Sequence, residues 1–122
     1  MVGRRLVTRW LALAVLLAAA GCKTDLYRWG GYEPSIARMY ATDSGYDPAA
    51  EVDRLTREVE ETEHRGAKVP PGVRAHLGYL VIETGNAERG TGYLLAEKTA
   101  YPESAAFVDG LLARLRAKET GQ

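Results

Sequence analysis

The sequence predicts an all-α fold: one compact unit of three to four helices, preceded by a cleaved export signal. Three observations predict it. Between residues 48 and 118 apolar side chains recur every three or four positions in successive stretches, as they do on one face of a helix. The intervals between those stretches hold glycine, proline and side chains that cap helices. No run alternates apolar and polar residues in the manner of a half-buried strand. With 122 residues, 46% of them apolar and 26% charged, the chain is of a size and composition for a single globular domain.

The first element is the export signal. Met1 to Arg9 is short and cationic, and Trp10 to Ala20 is an apolar run of eleven residues, too short to cross about 30 Å of hydrocarbon as a helix. The run leads into Leu17-Ala18-Ala19-Ala20-Gly21-Cys22. Small residues there leave the backbone open to a peptidase, and the lone thiol can accept a thioether-linked diacylglycerol. The arrangement resembles the bacterial lipobox, with Ala19 where leucine is usual. Residues 1–21 are therefore expected to be removed as a lipoprotein signal peptide, leaving Cys22 lipidated and the protein held durably on a bilayer by its acyl chains. An aspartate after the cysteine would resemble the inner-membrane retention signal. Lys23 stands there instead, which points to the outer membrane and its periplasmic face. Only residues 23–25 separate Cys22 from Leu26, a reach of about 10 to 15 Å, so the folded part sits close to the headgroups.

Residues 22–33 form a lipid-anchored aromatic segment, and residues 34–122 the helical domain. Within the domain, Ile36, Met39 and Tyr40 at i, i+3 and i+4 predict a short first helix. Asp47-Pro48 begins the second, because aspartate accepts an orphan amide and proline is tolerated at the first helical position. That helix runs to about Arg65, buries Val52, Leu55 and Val59, and carries opposite charges at i,i+4 in Asp53/Arg57, Arg54/Glu58, Arg57/Glu61 and Glu61/Arg65. Gly66 to Gly72 contains two prolines and forms a stiff connector. The third helix, Val73 to Thr84, carries Val73, Leu77, Leu80 and Val81 on one stripe, and Gly85-Asn86 turns the chain into a fourth over Ala87 to Tyr101. Tyr93, Leu94, Ala96 and Tyr101 are its candidate core. Gly90 and Gly92 weaken this helix unless close packing needs their missing side chains, the reading adopted for both. A last helix from Ala105 to about Lys118 places Phe107, Leu111, Leu112 and Leu115 inward.

Leu77-Gly78, Gly85, Leu94 and Pro102 follow the spacing of a tetratricopeptide repeat. The hairpin resembles that repeat over about 30 residues, departing from it at Arg74 and Glu97. One such hairpin cannot bury its own apolar face, so the flanking helices must complete the core. The motifs Leu26-Tyr27, Trp29-Gly30, Tyr32-Glu33, Pro70-Pro71-Gly72, Ala75-His76-Leu77-Gly78-Tyr79, Glu97-Lys98 and Tyr101-Pro102-Glu103-Ser104 span nearly the whole mature chain. They resemble the small bacterial lipoproteins of domain-of-unknown-function family 4810. The resemblance implies a lipid-anchored helical protein encoded beside a lipoprotein similar to the curli secretion pore, and hence an envelope assembly. It carries no activity with it.

Charge and chemistry exclude several classes. Sixteen basic residues balance sixteen acidic ones, and loss of Arg4, Arg5 and Arg9 with the signal leaves a net charge of about −3, which does not suit a nucleic-acid binder. One cysteine makes neither an internal disulfide nor a thiolate metal framework. His64 and His76 stand on opposite sides of the proline-rich connector, and no metal or cofactor is expected. His76 is expected to bond a loop carbonyl and fix the Pro70-Pro71-Gly72 turn, with contact to a partner as the alternative. The acidic run Glu58, Glu60, Glu61 and Glu63 reads as a solvated helix face, and Ser104 as a helix-starting hydroxyl with no base beside it. No enzyme is expected. Tyr27, Trp29, Tyr32 and Tyr40, together with His76, are the partner-binding candidates, set against a role for the rings in roofing the core. The leading expectation is a non-enzymatic accessory protein bound to another envelope lipoprotein. The alternative is an envelope enzyme or a protein that binds peptidoglycan or a small ligand, and a third reading is a sensor of the lipid surface.

Overall fold

The computed structural model describes residues 26–121 together with Gly3. The export signal and Cys22 lie outside the described residues. Among the described residues five α-helices follow one another, more than the three to four expected: α1 (Tyr32–Tyr40), α2 (Pro48–His64), α3 (Val73–Glu83), α4 (Ala87–Ala100) and α5 (Ala105–Glu119), with a 3-10 turn over Pro102–Ser104 before the last. Among the described residues there is no strand.

Two of the three side-chain caps, at Asp47 and Asn86, form where the sequence puts them. The Asp47 carboxylate accepts the Ala49 amide at 2.9 Å, with Pro48 opening α2. Gly85 takes φ +104° between α3 and α4, and the Asn86 side chain accepts the Arg89 amide at 3.0 Å. Each cap satisfies a donor that a helix start leaves orphaned, worth about 0.5 to 2 kcal/mol.

Two apolar clusters make the core, and α3 contributes to both. On one side Val52, Leu55 and Val59 of α2 meet Val69, Val73, Leu77, Leu80 and Val81. On the other, Ala75 of α3 meets Leu94 of α4 and Val108 and Leu112 of α5. A helix buried on both flanks is apolar around most of its circumference, as α3 is. The hairpin of α3 and α4 closes where Gly78 and Gly90 face each other. A Cβ on Gly78 would stand 2.7 Å from the Gly90 carbonyl oxygen, and one on Gly90 would stand 2.5 Å from the Gly78 oxygen. Gly92 differs: a Cβ there meets nothing within 4 Å, so close packing accounts for Gly90 and not for Gly92.

Several inward and outward assignments change. On α5 the fully buried residue is Val108, while Phe107, one step and about 100° around the helix, is 57% exposed. On α4, Glu97 is buried and Ala96 exposed. On α1 the buried residue is Ser35, whose hydroxyl donates to the Glu51 carboxylate and draws that face onto α2. Tyr40, expected on the apolar face, is left 78% exposed. Of the four ion pairs expected along α2, Arg54–Glu58 (2.7 Å) and Arg65–Glu61 (3.5 Å) form. Arg57 pairs with neither Asp53 nor Glu61, and Arg54 also grips Glu51 at 2.7 Å.

Candidate functional site

The aromatic segment folds back along the α2–α3 side of the domain. Tyr27 and Trp29 meet edge to face with centroids 6.3 Å apart, Trp29 and Tyr32 are 6.0 Å apart, and Tyr32 meets the His76 ring at 5.7 Å. Tyr27 also reaches Tyr101 at 6.4 Å. The chain of rings thus joins four of the five candidate aromatic and histidine residues and adds Tyr101. Tyr40 is outside it, because eight residues of helix carry it about 12 Å along the axis from Tyr32. Trp29 covers part of the core and also keeps an exposed edge. Trp29 lines a narrow crevice with Val59, Val69, Pro70 and Val73, yet remains 38% exposed.

The Pro70-Pro71-Gly72 connector is held by residues other than His76. Glu97 Oε1 accepts the Gly72 amide at 2.6 Å, and the Tyr101 hydroxyl donates to the Val69 carbonyl at 2.5 Å. Burial, together with the neighbouring Tyr27 hydroxyl, pushes the Tyr101 phenol up to about 12. His76 itself has both ring nitrogens shielded from solvent, with no hydrogen-bond partner among the described residues. The expected bond from its imidazole to a loop carbonyl is therefore replaced by a ring contact with Tyr32. Glu97 and Tyr101 belong to the motifs singled out in the sequence, and Glu97 also continues the buried line Gly90, Leu94 at i+4 and i+7, a signal that its charge obscured.

Beneath the rings lies a polar knot. Ser35 Oγ and Arg54 both donate to Glu51, through Arg54 Nε at 3.0 Å and Nη2 at 2.7 Å. Burial alone would raise the Glu51 carboxyl, but the hydrogen bonds from Arg54 and Ser35 outweigh it and hold the group below its ordinary value. Burial pushes His76 down; nearby Glu51 opposes that and Arg54 reinforces it.

Both shifts make acid destabilising. Neutral His76 contributes fully above the ordinary imidazole value of 6.5. That contribution drains as pH falls from there toward the lower folded value, because the unfolded chain takes the proton first. The Glu51 contribution is intact above 4.5 and is lost as pH falls through its folded value. Thermal unfolding followed by circular dichroism is expected to show melting temperature declining in two windows, one opening as pH falls below the ordinary imidazole value of 6.5 and one opening below the ordinary carboxyl value of 4.5. His76→Gln is expected to flatten the upper window alone; an upper decline that survives in this variant would refute the assignment.

Beside His76 the surface opens into an apolar groove of about 340 Å³, lined chiefly by Tyr32, Gly72, His76, Tyr79, Phe107 and Leu111. Tyr79 and Phe107 are both exposed on it. Neither had been singled out as a candidate, and Phe107 lacks any sequence signal that separates a core phenylalanine from a surface one. Elsewhere, Glu58, Glu61 and Glu63 of the acidic run are each paired with an arginine. The Ser104 hydroxyl donates backwards to the Tyr101 carbonyl at 2.7 Å instead of capping α5. Among the described residues no group of three acidic, histidine or cysteine side chains is placed to hold a metal ion, and no helix is long and apolar enough to cross a membrane.

No curated protein and no solved structure matches the chain. A family model does match, over residues 26–111, from the start of the aromatic segment into α5, and by that match the chain belongs to the family described as Domain of unknown function (DUF4810).

Proposed function

We propose that this protein is an outer-membrane-anchored accessory lipoprotein, lipidated at Cys22, that binds a second envelope protein and is not an enzyme. The observation that carries the reading is the groove around His76. Tyr79 and Phe107 stand exposed at its rim, and the two imidazole nitrogens beneath are kept from water without a partner. Large apolar side chains gathered at one place on a small domain mark an interaction surface more often than chance exposure does, and aromatic residues dominate the energetics of such surfaces. The hairpin supports the same reading: its Gly78–Gly90 crossing and repeat-like spacing suit a tetratricopeptide-like binding unit whose outer face is left for a partner. By family resemblance the partner is a lipoprotein similar to the curli secretion pore. A short tether from Cys22 would keep the groove beside the membrane where that partner resides.

In-cell crosslinking of the C-terminally tagged full chain, purified from outer membranes, tests this. Tyr79→Ala/Phe107→Ala removes exposed side chains and leaves the two clusters intact. It is expected to cut capture of one envelope protein by about tenfold or more, the loss of one or two hot-spot residues, at unchanged abundance and melting temperature. Trp29→Ala/Tyr32→Ala is expected to cut capture as well, with a drop in melting temperature because these rings also cover the core. Capture that persists in the first variant would remove the groove from the interface.

A further inference from the structure

A second surface, distinct from the groove, has the opposite character. Arg54, Arg57, Glu58 and Glu61 of α2 and Arg65 at its C-cap stand at i, i+3, i+4, i+7 and i+11, which places them on one flank of the helix. Arg28 of the aromatic segment comes over the same flank, and the result is a cleft of about 280 Å³ with four guanidinium groups and two carboxylates in its wall. Gly30 sits at φ +52° directly against the Glu58 carboxylate, so close that a Cβ would collide with it. The missing side chain thus lets the segment, and Arg28 with it, lie close against α2.

The charges in this wall do not cancel. Arg54 is bound by Glu51 and Glu58, and Arg65 has a long contact with Glu61 at 3.5 Å. Arg28 and Arg57 form no ion pair among the described residues. Two uncompensated guanidinium groups thus face one cleft, in a mature chain whose net charge is about −3. Both side chains are exposed, so an anion arriving from solvent can reach them without displacing an internal partner. The guanidinium fork matches the oxygens of a phosphate in two parallel hydrogen bonds, and the cleft has ample room for one tetrahedral group.

We propose that this cleft binds a phosphate group, carried either by a phospholipid headgroup or by free phosphate. Arg28 and Arg57 grip the phosphate oxygens, while Arg54, held by Glu51 and Glu58, is committed to its two carboxylates. This site stands independently of partner docking at the groove. Only the lipid source depends on the anchor, since Arg28 follows Cys22 by six residues and lies within about 20 Å of it by chain length.

The test uses the full chain in non-ionic detergent micelles and reads the arginine Nε–H resonances by 15N NMR. Inorganic phosphate is titrated in one arm. In the other, phosphatidylglycerol is mixed into the micelles, against a galactolipid that lacks phosphate. Saturable shifts of Arg28 and Arg57 are expected. Affinity is expected to fall about tenfold or more in Arg57→Gln, as expected when a charge-assisted hydrogen bond is lost, and to hold in Arg38→Gln, which alters an exposed arginine on α1. Neither Arg28→Gln nor Arg57→Gln touches the Glu51–Arg54–Glu58 pairs, so folding is preserved and checked by melting temperature. Saturation by inorganic phosphate identifies free phosphate as a ligand; saturation only with phosphatidylglycerol identifies the headgroup. Absence of saturation in both arms, equal response to the galactolipid, or unchanged affinity in Arg57→Gln would overturn the proposal.

Discussion

Gly90→Ala is expected to destabilise the domain by about 1 to 3 kcal/mol, the cost of overpacking a tight contact. The same change at Gly92, two residues along α4, is expected to stabilise it by up to about 1 kcal/mol. The opposite signs follow from geometry alone. Both glycines lie inside α4, where alanine is the better helix former. A Cβ at Gly92 enters open space, whereas one at Gly90 meets the Gly78 carbonyl oxygen at 2.5 Å, the Ile82 amide nitrogen at 2.9 Å and the Ile82 side chain. Two of those three neighbours are backbone atoms, so relief requires α3 and α4 to move apart along their whole contact. In a domain of this size 1 kcal/mol corresponds to about 4 to 8 °C in melting temperature, and calorimetry of the two variants separates the outcomes. If both variants gain stability, the crossing is looser than the structure describes.

Glu97→Ala is expected to cost about 1 to 3 kcal/mol, because it strips the acceptor from the Gly72 amide at the start of α3. Glu97 is only 1% exposed, so water does not readily replace the lost oxygen. Gly72 has φ +87°, a conformation natural to glycine that aims its amide toward α4. Glu97→Gln keeps a carbonyl oxygen of nearly the same shape and is expected to recover most of the loss. Hydrogen exchange at the Gly72 amide gives a second readout: it should accelerate in the alanine variant and stay close to wild type in the glutamine one. Urea midpoints that fall equally in both variants would assign the effect to charge and not to the hydrogen bond.

The contrast between these residues shows which parts of the fold were legible. Caps at Asp47 and Asn86, the turn at Gly85 and the apolar line of α2 are local, set by residues within a few positions of one another, and all were read from the chain. Phe107 and Val108 differ in which of two adjacent apolar positions enters the cluster with Ala75 and Leu94, and that depends on the angle at which α5 returns after the 3-10 turn. Hydrophobicity alone ranks Phe107 above Val108 and gets the pair wrong. Glu97 shows the converse. The spacing from Gly90 and Leu94 leads to Glu97, but its charge turned the core assignment to Ala96, and its partner is a backbone amide 25 residues away, which no periodicity reveals. The ring cluster was legible as a group of candidates and not as a shape. Only the fold brings Tyr101 and His76 to Tyr27 and Tyr32 and carries Tyr40 away. Arg28 and Arg57 likewise lie far apart in the sequence and share a cleft only once the segment doubles back over α2.

That return of the segment bears on the order of assembly. Tyr27 rests against Tyr101, so its seat is incomplete until every residue between them has been delivered. The α3–α4 hairpin, by contrast, is closed by contacts between neighbours in the chain, the kind that form early because little loop entropy opposes them. A polypeptide emerging from its N-terminus therefore presents the aromatic stretch to its surroundings for the longest time, while the hairpin that will shelter it is still being made. Tyr27 and Trp29 would be the first of these residues to appear and among the last to settle.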